Sequence, residues 1–259
     1  MGREDPFRWR TGRASPTRGA LVVSRRRSER EDLLLVRTED PRLAKALSEL
    51  LFEADSETFS KSFPAGSLTG AIYERFAQHV DMLLRQTAGL ERVPWEAALE
   101  ASADRLVAAG ARWWLTGSTA LAIRGVPVSP RDIDLVLDDA GAATAARAFE
   151  DVLIEPALPV EGWICRAFGR AFLHARVEWI AGVREEVDDP HPTDFGPVAE
   201  ADLEDIRWRG FSIPVPPVAL QRDAAVRRTL NERVGVIDAW LGGGPLGREA
   251  PTGRTGGHR

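Results

Sequence analysis

Residues 113–139 read WWLTGSTALAIRGVPVSPRDIDLVLDD, and the interpretation of this stretch decides the fold. Residues 112–116 form an apolar run rich in bulky side chains, which predicts a strand. Gly117-Ser118 predicts a tight turn, 119–124 a short helix closed by Gly125, and 133–137 a second strand. A strand that passes through Gly-Ser straight into a helix presents unpaired backbone N–H groups and the positive end of the helix dipole, which together suit phosphate. Glycine at 117 would let the backbone approach that phosphate closely. The two-residue period of a strand puts Asp132 and Asp134 on one face, with Ile133 and Leu135 on the other. Two acids so placed can share divalent cations. The same residues have a plainer reading, an ordinary turn with a serine helix cap and acids on a solvated strand face.

Working outward, 95–109 carries Leu99, Ala103, Leu106 and Val107 at helical spacing, and Gly110 is a residue that typically ends a helix. Residues 140–153 predict a helix. Two strands are expected at 162–168 and 171–180, joined at Gly169-Arg170, with a further strand at 206–215. The last helical stretch is 218–241, broken near Leu230-Asn231. Helix, strand, turn, helix, strand, helix, strand predicts an α/β (α+β) core with a mixed β-sheet, flanking helices and a C-terminal helical segment.

In this arrangement ARVEWI, residues 175–180, places Leu173, Ala175, Val177 and Trp179 on one face of a strand and His174, Arg176 and Glu178 on the other. Glu178 is thereby a third candidate carboxylate. His174 reads either as a proton-transfer group or as a surface histidine. Arg124 and Arg131 lie in the spacer, where each is a candidate phosphate ligand or a surface charge. Asp138 and Asp139 are expected to cap the following helix. Arg227, Arg228 and Arg233 of the last helical stretch are further candidates for phosphate.

The order apolar strand, Gly117-Ser118, spacer, Asp132-Ile133-Asp134 resembles the motif of the polymerase-beta-like nucleotidyltransferase superfamily, over roughly residues 95–240. The resemblance implies a nucleotidyltransferase core, a third carboxylate on a neighbouring strand at Glu178, and two Mg²⁺ ions, with Mn²⁺ as a substitute, held by Asp132, Asp134 and Glu178. It implies NTP as substrate, with Gly117, Ser118, Arg124 and Arg131 on the nucleotide, and transfer of an NMP to an acceptor hydroxyl. Relatives modify antibiotics, proteins or the end of tRNA, so the acceptor stays open among these. Stand-alone toxins of the superfamily imply an antitoxin partner. An idle nucleotidyltransferase fold that only binds nucleotide or a partner protein is the alternative of a different class.

The flanks say less. Residues 1–18 and 242–259 are rich in Gly, Pro and charge without apolar periodicity, and are expected to be disordered tails. The apolar runs 20–23 and 33–36 flank the charged SRRRSERED and predict a hairpin or strand pair; Asp40-Pro41 opens a helix with Leu43, Leu47, Leu50 and Leu51, and a second helix is expected at 71–86. Thus 19–93 is expected to be mainly helical, 94–216 the catalytic core and 217–241 the helical segment.

The 259 residues are 44% hydrophobic with a formal charge of −5, ordinary for a globular chain and no sign of wholesale polyanion binding. Cys165 is the only cysteine, which excludes an intrachain disulfide, a zinc-finger cluster and a Cys-x-x-Cys redox pair. The absence of an apolar run of ~18 residues, and of a secretory segment, points to a cytoplasmic chain away from membranes. Lys45 and Lys61 are the only lysines, so an essential lysine would have to be one of them.

Overall fold

A computed structural model describes residues 21–243. The expected tails at 1–18 and 242–259 lie outside the described residues, except for Gly242 and Gly243. Chain contacts divide the described residues into two compact units: 21–92 with 151–157 and 170–172, and the remainder from 93. No helix among the described residues is long and apolar enough to cross a membrane.

The first unit opens with the antiparallel pair β1 (Val22–Arg27) and β2 (Glu31–Arg37). Helix α1 (Pro41–Glu49) follows, capped by the Asp40 side chain accepting from the Arg42 N–H. Strands β3 (Glu53–Asp55) and β4 (Thr58–Pro64) complete a four-stranded sheet of order β1-β2-β4-β3. Helix α2 (Gly70–Thr87) is capped by Thr69 and buries Ile72, Phe76, Val80 and Leu83. The region 19–93 is therefore not simply helical. Phe59 and Phe63, the buried residues of β4, are four apart, a spacing that also suits a helix. Pairing with β2 along 58–64 makes the segment a strand.

The first unit also holds a buried ion cluster. Lys61 Nζ donates to Glu155 Oε2 at 2.7 Å and to the Leu50 carbonyl at 3.0 Å, while Arg170 donates to the other Glu155 oxygen. Glu155 and Arg170 are both buried. Lys61 thus has a structural position, and Lys45 is an exposed partner of Glu49.

The second unit begins with α3 (Trp95–Ala108), β5 (Trp113–Thr116), α4 (Gly117–Ile123), β6 (Ile133–Leu137) and α5 (Gly141–Ala148). Then come β7 (Leu153–Pro159), of which 153–157 belong to the first unit, β8 (Cys165–Leu173), of which 170–172 do, β9 (Ala175–Val183) and α6 (Pro197–Ala201). It ends with β10 (Glu204–Trp208), β11 (Phe211–Val215), α7 (Val218–Arg227) and α8 (Asn231–Leu241). The five-stranded sheet has the order β5-β6-β9-β8-β7, with β5 and β6 antiparallel and β6 and β9 parallel. It is a mixed sheet, as expected. One face buries Ile133, Leu135, Val177 and Trp179, and Phe149 stacks on Trp179 with ring centroids 5.0 Å apart.

Several boundaries differ from expectation. The helix expected over 140–153 stops at Ala148, because 153–159 is a strand; its prolines are tolerated at the edge of the sheet. Asp138 and Asp139 do not cap α5, whose N-cap is Ala140 without a side-chain bond; Asp139 pairs instead with Arg166 at 2.6 Å. Gly169-Arg170 is not a turn. Strand β8 runs straight through it, and a Cβ at Gly169 would collide with the Trp179 indole, so the glycine is a slot for that ring. The reversal falls at His174, exposed at φ 63°. The strand expected at 206–215 is the hairpin β10–β11, turned by Arg209 and Gly210 at φ 46° and 91°. The break near Leu230-Asn231 is present, and Ile237 of α8 packs on Leu121 and Val126.

Candidate functional site

The sheet register assembles the site. Thr116 at the end of β5 is opposite Asp134 of β6, and Asp134 is opposite Glu178 of β9. Residues level with one another on adjacent strands share a face, so these three side chains form a row across the sheet. Asp132, two residues before Asp134, joins the same face. The result is that Asp132, Asp134 and Glu178, all half-buried, offer one carboxylate oxygen each within 4.8 Å of one another. An all-oxygen donor set of this charge fits a hard divalent cation such as Mg²⁺ or Mn²⁺.

Crowding three acids has an electrostatic consequence. Burial pushes the Asp134 carboxyl well above the ordinary carboxylate range, and the charges of Asp132 and Glu178 push it further. Arg176 pulls the other way. Its guanidinium donates to Asp132 Oδ2, and its Nε lies 3.6 Å from Glu178 Oε1.

Gly117 is required here for a reason the sequence does not reveal. Its φ is 67°, and a Cβ would be driven into the Asp134 carboxylate, only 3.3 Å from the carboxyl carbon. The close neighbour that demands glycine is thus Asp134. Ser118, buried in the first turn of α4, is not the helix cap; that position belongs to Thr116, which makes no side-chain cap bond. The Thr116 hydroxyl lies 2.9 Å from the Asp194 carbonyl and 3.2 Å from Asp194 Oδ2. Two further side chains brace the loop. Thr119 Oγ1 donates to the Asp132 carbonyl at 2.7 Å, and Gln221 of α7 donates to the Gly117 carbonyl at 3.0 Å.

A cavity of about 200 Å³ opens on the row, lined by Gly117, Asp134, Glu178 and Asp194 together with Trp163, Phe168, Phe195 and Arg228. Asp194 is a fourth carboxylate in this space. Burial pushes its carboxyl up, against the pull of Arg228.

Of the expected site residues, Asp132, Asp134, Glu178, Gly117 and Ser118 lie in this neighbourhood. Arg124 has another task. Its largely buried guanidinium donates to the Pro216 carbonyl at 2.8 Å and pairs with Glu204 at 2.6 Å, anchoring the hairpin β10–β11. Arg131 is exposed beside Asp132. Arg228, from the last helical stretch, does line the cavity, whereas Arg227 donates to the Pro192 carbonyl. Sequence reasoning did not assign Arg176, although its alternation with Glu178 marks the face. Asp194 and Gln221 had no such signal, since they sit in a coil and on an ordinary helix.

No family model matches the chain, and no curated protein matches it. Among solved structures, a candidate nucleotidyltransferase from Thermotoga maritima aligns over 57% of this chain and 93% of its own, at 24% identity and a TM-score of 0.44.

Proposed function

We propose that the chain is a metal-dependent nucleotidyltransferase that moves a nucleoside monophosphate from an NTP to an acceptor hydroxyl. The observation that carries this reading is the convergence of Asp132, Asp134 and Glu178 on one sheet face, with their ligand oxygens within 4.8 Å of one another, beside the strand–Gly117–Ser118–helix turn. Asp132, Asp134 and Glu178 would hold the cation, with Mg²⁺ first in line. Bound divalent ions supply charge neutralisation to the polyphosphate and a lowered pKa to the acceptor hydroxyl.

The remaining work falls to the chain. The acceptor oxygen forms a bond to the α-phosphorus, the bond from that phosphorus to the bridging oxygen breaks, and pyrophosphate leaves. The acceptor's proton passes to a carboxylate, a task we assign to Glu178 because it completes the ligand set from a separate strand. Gly117 and Ser118 would hold the polyphosphate end of the NTP, with Arg228, which lines the cavity, and the exposed Arg131 as candidate cations for it. The acceptor class is an antibiotic, an RNA end or a protein.

The test is transfer of label from each α-³²P-NTP to cell extract, tRNA, protein and aminoglycoside fractions, with Mg²⁺ or Mn²⁺, by wild type and by Asp132→Asn/Asp134→Asn. Label in one fraction, lost in the double variant, is the expected result. Metal-dependent NTP binding with no transfer to any fraction would make the chain a nucleotide-binding protein instead; no NTP binding at all would remove the assignment.

A further inference from the structure

We propose that Arg176 is a tethered counter-ion of the carboxylate site, which a divalent cation must displace, so that this one side chain sets the site's affinity for metal. The inference rests on reading Asp132, Asp134 and Glu178 as metal ligands. Arg176 lies two residues before Glu178 in β9 and so on the same face, while Ala175 and Val177 point into the core. Its side chain is only 13% exposed. A guanidinium held that far from water has to be paired, and its partners include Asp132, by hydrogen bond, and Glu178, at 3.6 Å. These are two of the three ligand carboxylates. A metal ion bridging them would compete for the same oxygens and sit beside a like charge.

The pair is not needed to hold the strands together. Strands β6 and β9 are joined by a backbone ladder from Ile133↔Val177 to Leu137↔Ala181. This differs from Arg124, whose guanidinium ties a loop residue and a hairpin to α4. What Arg176 contributes is charge. With it, three crowded acids carry one neutralising cation before any metal arrives, and the site has less to gain from binding one.

The experiment is calorimetric titration of the full chain with Mn²⁺ alone, without nucleotide, for wild type and Arg176→Gln. Removing a positive charge a few ångströms from the metal should tighten Mn²⁺ binding about tenfold or more. Equal or weaker binding by the variant would overturn the proposal while leaving the ligand assignment intact. If neither protein binds Mn²⁺ at millimolar concentration, the ligand assignment itself fails, and the proposal with it. A second readout does not depend on the Gln variant: the wild-type Arg176 Nε–H resonance, identified by its loss in Arg176→Lys, should shift as diamagnetic Mg²⁺ saturates the site. A resonance unmoved at saturation would also overturn the proposal.

Discussion

Asp134 shows how one side chain can serve the site at the expense of the fold. Its pKa is raised well above the ordinary value by burial and by two neighbouring carboxylates, so the folded chain binds this proton more tightly than the unfolded chain does. The sign follows directly. Without metal, stability contributed by the protonated group is present at low pH and is lost as pH rises from the ordinary carboxylate range through the raised value. Urea unfolding in EDTA across this range should show a downward slope that Asp134→Asn abolishes, and Mg²⁺ should restore the wild type most at the high-pH end. A slope unchanged in the Asn variant would refute the assignment. Gly117 is coupled to the same carboxylate. Gly117→Ala imposes a left-handed conformation on a side chain that also strikes Asp134, so a loss of about 1–3 kcal/mol is expected, together with weaker Mn²⁺ binding. Ser118→Ala, which strikes nothing, should leave Mn²⁺ binding near wild type, as calorimetry would show.

Strands β8 and β9 form the element that delivers Glu178, and their fit depends on the slot at Gly169. Trp179, the residue after Glu178, fills that slot and stacks on Phe149 from α5's C-terminal end. Gly169→Ala overpacks this contact and should cost about 1–3 kcal/mol. Because Trp179 cannot move without carrying its neighbour, Mn²⁺ binding should weaken although no site residue has changed. A normal melting temperature with normal metal affinity would show that the strand has room for the methyl group. Helix α7 acts through one amide, since Gln221 reaches the Gly117 carbonyl while its own Oε1 is buried without a partner among the described residues.

Among the described residues, two clusters of charge contrast. In the second unit, Asp132, Asp134 and Glu178 outnumber Arg176, an imbalance suited to recruiting a cation. In the first unit, Lys61 and Arg170 both pair with the Glu155 carboxylate. Glu155→Gln should remove the carboxylate that Lys61 and Arg170 both contact and lower stability by about 3–5 kcal/mol, read from the shift of the urea midpoint. The metal site belongs to the other unit, so Mn²⁺ affinity of the folded variant is expected to match wild type. A midpoint within experimental error of wild type would mean that the cluster is hydrated.

The strand alternation at 132–135 and 175–180 was legible because it is a local, two-residue property: apolar residues that must be buried determine which side the intervening acids take. The break between α7 and α8, expected near Leu230-Asn231, is present. Other features have no local signature. Whether Gly169 is a turn or a slot depends on a tryptophan ten positions away, and whether Arg124 meets phosphate or a hairpin depends on Glu204 and Pro216. Strand β7, with two prolines, is a strand because it lies at a sheet edge, where a missing N–H costs no ladder bond. Asp194 and Gln221 reach the site through bonds to Thr116 and Gly117 from distant segments. Periodicity records only which side of an element faces the core; contacts between distant segments are decided when the strands and helices pack, and Arg176 acquires its place among the acids only there.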